Sequence, residues 1–194
     1  MRPAAVANFL LAIAFAAMLL SIVLWCQNVW GWSALITGLA VAPGPLMVPF
    51  LAVGAGPLVA RVGAGRISAL GCAVFAGGFA WWIAQLGATL DYVGGVLPGM
   101  LLTGIGVGLA LPTLIGTSIS SVPPPSFATG SALVTMIRQI GSVLGVALLV
   151  ITLGSVTTGN AASSFDNGWW LTLGAAVAAR LACLFIPRPD PAAG

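Results

Sequence analysis

Long apolar stretches without a charged residue run through this chain of 194 residues. Residues 3–60, 67–90, 92–137 and 139–165 contain no charged side chain. A bilayer core about 30 Å thick is crossed by ~20 apolar residues in a helix, and short polar or Gly/Pro-rich segments divide the stretches into pieces of that length. The pattern predicts one transmembrane domain over residues 1–194, with six helices at about 7–26, 34–59, 67–86, 96–117, 128–153 and 168–187.

Composition identifies the surrounding solvent as lipid. Charged residues make up 5% of the chain and hydrophobic residues 60%, whereas a soluble domain is roughly 25% charged. The chain has no His and no Glu, and its three cysteines lack the spacing of a metal site, so zinc chemistry and most general acid–base catalysis are excluded. The arginines are dispersed and form no basic patch. We therefore expect an all-α membrane protein, in contact with the lipid bilayer, that is not an enzyme, uses no cofactor or metal, and binds no nucleic acid.

The arginines also predict the orientation. If the N-terminus is cytoplasmic, the segments on that side hold Arg2, Arg61, Arg66 and Arg188, and the outer loops hold Asp91 and Asp166. Positive charge is enriched on the cytoplasmic side of membrane proteins, so this distribution supports both the number of spans and their direction. We expect a multi-pass protein of the cell (plasma or inner) membrane with both termini in the cytoplasm.

One charge falls deep inside a predicted span. Arg138 lies about ten residues into the fifth helix, or roughly 15 Å from its start at 1.5 Å per residue. A charge at that depth costs about 2.5–3.5 kcal/mol on insertion scales and should face the bundle interior or a water-filled cavity. Thr135 and Gln139 lie on nearly the same face, so we predict that the three residues line a transport pathway. Two alternatives remain open: the guanidinium snorkels to the cytoplasmic surface, or it contacts the carbonyls of a helix end.

Glycines at helical spacing predict where the helices pack. Small residues let helices approach closely, which matters because lipid provides no hydrophobic drive for helix association. The predicted packing residues are Gly38, Gly104, Gly108, Gly141 and Gly145. The faces that they form either slide during function or pack statically.

Tryptophans lie near the ends of the predicted spans. Indole rings favour the membrane–water interface, so we interpret these residues as interfacial anchors rather than as a ligand site. They are Trp25, Trp30, Trp32, Trp81 and Trp82.

Several motifs carry a family resemblance. The loop after the second span, residues 56–66, resembles the loop motif G-x-L-x-D-R-x-G-x-R-R of the major facilitator superfamily. The matching residues are Gly56, Leu58, Arg61, Gly63 and Arg66. Ala60 replaces the acidic residue of the motif, and Gly65 replaces one arginine. The stretches 31–45 and 104–145, including Arg-Gln-Ile-Gly at 138–141, are similar to the 14-span drug:proton antiporter branch.

The resemblance implies the C-terminal six-helix half of a major facilitator fold, built from 3+3 inverted repeats. Proteins of that branch export small lipophilic substrates against protons, and their coupling acids lie in the half that is absent here. We therefore expect half of a secondary active transporter, a proton-coupled exporter of drugs or lipophilic metabolites. It would be inactive without an N-terminal half or a second copy, and residues 60–66 would form its cytoplasmic gating loop. The alternative is a non-transporting membrane interaction module or a truncated relic.

Overall fold

The computed structural model is helical throughout its described part. It describes residues 2–87, 91–120, 122–123, 126–154 and 161–186, with side chains for all of these except residues 2 and 161–164. The helices are α1 (Arg2–Asn28), α2 (Ala34–Val41), α3 (Pro43–Val62), α4 (Ala64–Gln85), α5 (Leu97–Ser120), α6 (Phe127–Leu153) and α7 (Ala161–Leu184). A π-helical turn, Tyr92–Val96, leads into α5. Five helical stretches are long and apolar enough to cross a membrane, which confirms the predicted helical membrane bundle.

The sixth predicted span corresponds to α7, which differs from the prediction at its start. The helix begins at Ala161, seven residues before the predicted position 168, so Asp166 lies inside a helix and not in a loop. Asp166, Asn167 and Arg180 make α7 more polar than the other long helices, and it is not among the five apolar stretches. Polar residues in the first turns of a helix resemble a loop when the sequence is considered alone.

The second predicted span is interrupted where its first proline occurs. α2 ends at Val41 and α3 begins at Pro43, with Ala42 between them. Proline suits the first turn of a helix because the N–H that it lacks would have no helical partner there. The proline-rich start of α3 therefore interrupts the helical hydrogen bonding of the span without ending the span.

The helix contacts follow a two-fold pattern. If α1, α3 and α4 are exchanged with α5, α6 and α7, the packing of α3 on α5 becomes the packing of α6 on α1. In the same way, the contact between α4 and α5 becomes the contact between α7 and α1. Burial agrees, because the second and fifth spans are 22% buried and the first and fourth are 56% buried. This is the pattern of two inverted three-helix repeats, as the resemblance implied.

The spans form two layers. The front layer contains α3, α5, α1 and α6 in that order, and α4 and α7 pack behind its centre. The edges of the front layer are therefore α3 and α6. We call the end of the bundle that holds Arg61 and Arg66 the arginine end, and the opposite end, which holds Trp25 and Trp82, the tryptophan end. Arg188 and the side chain of Arg2, which also entered the prediction of orientation, lie outside the described residues.

Buried aromatic rings join the two layers at the tryptophan end. The Trp25 ring lies 5.3 Å from the Phe165 ring and 5.0 Å from the Trp169 ring, and the Trp82 ring lies 6.4 Å from that of Trp169. Trp25 is 1% exposed and Trp82 is 0% exposed. The interpretation of these two residues as interfacial anchors is therefore wrong, since they pack α1, α4 and α7 together.

Glycines let α4 and α5 pack backbone against backbone. A Cβ atom placed on Gly71 would lie 2.7 Å from the carbonyl oxygen of Gly106, and one placed on Gly78 would lie 2.9 Å from that of Gly99. Carbon atoms pack best at about 3.5–4.0 Å. No larger residue fits these positions unless the helices move apart.

Four of the predicted packing glycines lie where α5 packs on α3 or where α6 packs on α1. A Cβ atom on Gly104 would lie 2.5 Å from the carbonyl oxygen of Gly44 on α3, and Gly108 also approaches α3. Gly141 and Gly145 approach the backbone of α1, where a Cβ atom on Gly141 would lie 2.8 Å from a carbonyl oxygen. Gly38 is different, because it is exposed on α2 and no atom lies within 4 Å of its Cβ position.

Candidate functional site

A polar stripe runs along α6. Its members recur every three or four positions and therefore share one side of the helix. They are Ser131, Thr135, Arg138, Gln139 and Ser142. Thr135 and Gln139 are exposed, and the other three are half-buried. The structure thus brings together the three residues predicted for the pathway, and it adds two serines that the same helical spacing could have revealed.

Two of the three hydroxyl groups in the stripe are paired within their own helix. The Ser131 hydroxyl donates to the carbonyl oxygen of Ala128 at 2.9 Å, and the Thr135 hydroxyl donates to that of Ser131 at 2.9 Å. Such back-bonding satisfies the hydroxyl donor without any contact outside the helix. The hydroxyls therefore need no neighbour to be tolerated at this depth.

Arg138 has no such local solution. It is the twelfth of the 27 residues of α6, close to the middle of the span. Among the residues that the structure describes, none forms a hydrogen bond or an ion pair with its guanidinium group. A half-buried cation in the middle of a membrane has to meet water or a polar group.

The loop motif forms the turn between α3 and α4. Gly63 has φ 95 and ψ 143 and ends α3, with its N–H donating to the carbonyl oxygen of Val59 at 2.9 Å. A positive φ favours glycine because a Cβ atom is strained there, which explains this residue of the motif. Arg61 and Arg66 are exposed on the two sides of the turn, and Leu58 is 40% exposed.

Gly65 explains one departure from the motif. A Cβ atom on this residue would lie 3.1 Å from the carbonyl oxygen of Cys183 and 3.3 Å from the Cβ atom of Ile186. The start of α4 therefore rests directly against the end of α7, and the arginine of the motif would have to displace that contact. Ala60, the other departure, is exposed and meets no such constraint.

A groove of about 500 Å³ lies between α3 and α5 near the arginine end. Its α3 side is apolar and includes Gly56 of the loop motif, while Thr113, Thr117 and Ser120 line its α5 side. These hydroxyls donate to carbonyl oxygens of α5 at 2.7, 2.7 and 3.2 Å. They consequently present acceptor lone pairs to the groove.

The polar groups at these surfaces can take part in binding. The described part of the chain contains no group of three or more His, Cys, Asp or Glu side chains that could hold a metal ion. The polar stripe on α6 offers a guanidinium, an amide and hydroxyl groups along the membrane depth. Such a surface can hold a solute, water or another protein.

Similar proteins are known in bacteria. The chain is 36% identical over 137 residues to the cephamycin export protein CmcT of Amycolatopsis lactamdurans. The matched region is 70% of this chain and 28% of that protein. It is 32% identical over 183 residues to the uncharacterized transporter YebQ of Escherichia coli (strain K12). That matched region is 90% of this chain and 38% of YebQ. A multidrug resistance protein B homolog of Mycobacterium tuberculosis (strain ATCC 25618 / H37Rv) is 26% identical over 129 residues, covering 66% of this chain and 24% of that protein. No protein-family model matches the sequence.

These relatives agree with the motifs in the sequence. Each is an export, multidrug-resistance or transport protein by name. The chain spans 28% of the length of the cephamycin export protein and 38% of the length of YebQ. The chain is therefore a relative of the drug exporters of the major facilitator superfamily and matches part of their length.

Proposed function

We propose that the chain is the C-terminal half of a secondary active transporter that exports drugs or lipophilic metabolites in exchange for protons. In this proposal it contributes one wall of a central pathway and transports only when a second half, an N-terminal half or another copy, completes the pathway. Transport by alternating access requires two bundles that rock around a shared site. The short match to each relative supports the assignment to half of such a protein.

The polar stripe on α6 carries the proposal. A helix edge that faced only hydrocarbon would not present an arginine and a glutamine near its middle, because each is costly to bury in lipid. The α6 span, which carries the stripe, is 22% buried, as is the α2–α3 span, whereas the other three apolar spans are 56% buried. We therefore assign the exposed polar side of α6 to contact with a second bundle or with a water-filled cavity.

The charges of the described residues support two further parts of the proposal. Arg61 and Arg66 lie at the same end of the bundle, so we assign the arginine end to the cytoplasm. Asp166 is half-buried near the tryptophan end of α7 and is far from Arg138 along the membrane normal. The acid that couples transport to protons is therefore assigned to the second half.

The test is efflux of a fluorescent lipophilic cation from cells that express the chain alone, a candidate N-terminal half alone, or both. The proposal predicts efflux only from cells that contain both halves, after membrane insertion of each has been confirmed. Proton-driven efflux from sealed vesicles that contain only the purified chain, as a monomer, would contradict the proposal. Absence of efflux with both halves inserted would favour a membrane interaction module.

A matched pair of variants separates the pathway from general stability. Arg138→Ala should lower export at least tenfold without lowering membrane insertion, because it removes the only charge of the stripe. Arg180→Ala removes an exposed charge on α7 of the back layer and should leave export within twofold. Equal export by both variants would remove Arg138 from the mechanism.

A further inference from the structure

The groove between α3 and α5 exists because the two helices separate toward the arginine end. Deeper in the membrane they touch, and a Cβ atom on Gly108 would lie 2.9 Å from the Cβ atom of Leu51. Near the arginine end, Gly56 of α3 and Gly116 of α5 both line the groove, and no atom lies within 4 Å of the Cβ position of either. These glycines leave space instead of packing, and the resulting volume of about 500 Å³ is that of a small-molecule site.

The hydroxyl groups of the α5 wall offer acceptors and no free donor. The hydroxyls of Thr113 and Thr117 each donate to a carbonyl oxygen of α5 at 2.7 Å, and that of Ser120 donates to another at 3.2 Å. A hydroxyl has one proton and two lone pairs, so each oxygen can still accept, but it can donate to a ligand only by giving up its bond to the helix. Among the described residues that line the groove, no other side chain is polar. The α5 wall therefore favours a ligand that brings hydrogen-bond donors.

The three hydroxyls form a ladder that leads inward from the arginine end. Ser120 is the last residue of α5. At 1.5 Å per residue, Thr117 lies about 5 Å and Thr113 about 10 Å deeper along the helix. Ser120 is exposed, Thr117 is half-buried and Thr113 is 7% exposed. A donor group that enters from the arginine end can therefore exchange water for these acceptors one turn at a time.

The opposite wall is apolar, so the ligand needs an apolar body beside its donor group. Small side chains leave room for hydrocarbon there but give no partner to a buried polar group. The residues of α3 that form this wall are Ala52, Ala55, Gly56 and Val59.

An ammonium group matches the α5 wall more closely than other polar heads. It has three N–H donors and accepts nothing, and its hydrogen bonds to neutral oxygens are strengthened by the charge. A carboxylate or a phosphate would instead place acceptors against acceptors. Arg61 and Arg66 at this end are exposed and are not among the residues that line the groove, so solvent and salt screen their charges.

We propose that the groove binds the primary ammonium group of a lipophilic amine, with the head among Thr113, Thr117 and Ser120 and the apolar body against α3. A free amine and the headgroup of an aminophospholipid, such as phosphatidylethanolamine, offer this same chemistry. The inference deepens the proposed function, on which it rests for the export of the ligand. Binding itself requires only residues of this chain, and the site is separate from the polar stripe on α6.

Equilibrium dialysis of naphthylmethylamine against the full chain in phosphatidylcholine nanodiscs measures the affinity, and empty nanodiscs correct for partition into lipid. The matched probe is the N-trimethyl analogue, which keeps the ring and the charge but has no N–H donor. The primary amine should bind at least tenfold more tightly, the equivalent of about 1.4 kcal/mol. Equal affinities, or tighter binding of the trimethyl probe, would overturn the proposal.

Thr117→Val keeps the shape of the side chain and removes one acceptor. It should weaken binding of the primary amine about tenfold, since hydrogen bonds to charged groups are strong, and change binding of the trimethyl probe less than twofold. Thr103→Val is the matched control in the same helix, because the Thr103 hydroxyl also donates to a carbonyl oxygen at 2.9 Å but is buried outside the groove. Equal effects of the two variants on the primary amine would overturn the role of the groove hydroxyls.

Gly116→Leu tests the location of the site. The leucine side chain fills the groove, and leucine favours a helix more than glycine does, so folding is preserved. Both probes should bind at least tenfold more weakly. Gly77→Leu on α4, where the Cβ position is also free of neighbours, should change neither affinity by more than twofold. Undiminished binding by Gly116→Leu would place the amine elsewhere and overturn the proposal.

Two further comparisons identify the source of the ammonium group and separate this inference from the proposed function. Replacement of part of the phosphatidylcholine by phosphatidylethanolamine should lower the amine affinity at least twofold if the lipid headgroup occupies the groove, and leave it unchanged if the site takes free amines. Efflux with both halves present, by a chain that does not bind the amine, would overturn the inference and leave the proposed function intact. Amine binding that follows the predicted pattern, without efflux from any combination of halves, would support the inference and contradict the proposed function.

Discussion

Substitution of Gly71 by alanine is predicted to force α4 and α5 apart. The new Cβ atom would lie 2.7 Å from the amide nitrogen of Ala110, 2.7 Å from the carbonyl oxygen of Gly106 and 2.9 Å from the Cβ atom of Ala110. These distances are about 1 Å shorter than favourable carbon contacts. Two of the three atoms belong to the backbone, so no side-chain rotation relieves the overlap.

The size of the effect follows from two opposing terms. Overpacking a tight site costs about 1–3 kcal/mol, and a clash with backbone places this site near the upper value. Alanine favours a helix over glycine by about 1 kcal/mol, which leaves a net loss of about 2 kcal/mol. For a chain of this size the melting temperature should fall by about 4–8 °C.

Gly77 provides the matched control in the same helix. No atom lies within 4 Å of its Cβ position, so Gly77→Ala gains helix propensity without a clash. The melting temperature should rise by about 2–4 °C for a gain of about 1 kcal/mol. The two variants differ in packing and not in the chemical change.

The chain contains its own reporter for the assay. Cys26, Cys72 and Cys183 are buried free thiols, so a thiol-reactive dye labels them only as the bundle opens on heating in detergent. Equal shifts in melting temperature for Gly71→Ala and Gly77→Ala would refute the reasoning. So would a rise for both, since it would mean that helix propensity outweighs the close approach of α4 and α5.

Three further predictions follow from other contacts. Trp81→Phe removes the indole donor to Gly94 and should destabilise the chain by about 1 kcal/mol. Adding Pro98→Ala should restore most of the loss, because alanine supplies a backbone N–H, and a double variant as unstable as Trp81→Phe would exclude this explanation. Gly65→Arg restores the residue of the family motif but crowds the end of α7, so the thiol assay should show a melting temperature lower by several degrees; an unchanged value would mean that α7 yields easily. Gln139→Leu makes the polar stripe more apolar and should reduce export by the assembled transporter while membrane insertion is unchanged, and undiminished export would place the residue outside the pathway.

The predicted spans agree with the structure where the pattern is strong and deviate where it is locally ambiguous. The first five spans were predictable because crossing a membrane requires a fixed number of apolar residues, a property of each segment alone. The start of α7 was missed because Asp166 and Asn167 are as polar in the first turns of a helix as in a loop. The break before α3 follows from Pro43, whose effect on the backbone is also local.

Only part of the candidate site could be predicted from the sequence. Arg138 could be recognised because a charge deep in an apolar segment is rare whatever surrounds it. The exposure of the α6 stripe could not, since it depends on the position of α6 at the edge of a layer. Gly71 and Gly106 bring the backbones of α4 and α5 together, yet neither has another glycine four residues away in the sequence.

The sequence by itself determined that the chain crosses the membrane several times, which family its motifs resemble, and that one cation lies at mid-depth. Only the tertiary structure decided which side of each helix is packed, that Trp25 and Trp82 are interior, and that α3 and α6 form the open edges. The physical reason is that lipid and protein interior are equally apolar. An apolar side chain is therefore compatible with either environment. Only the contacts between distant segments distinguish a helix face that packs against protein from one that is exposed.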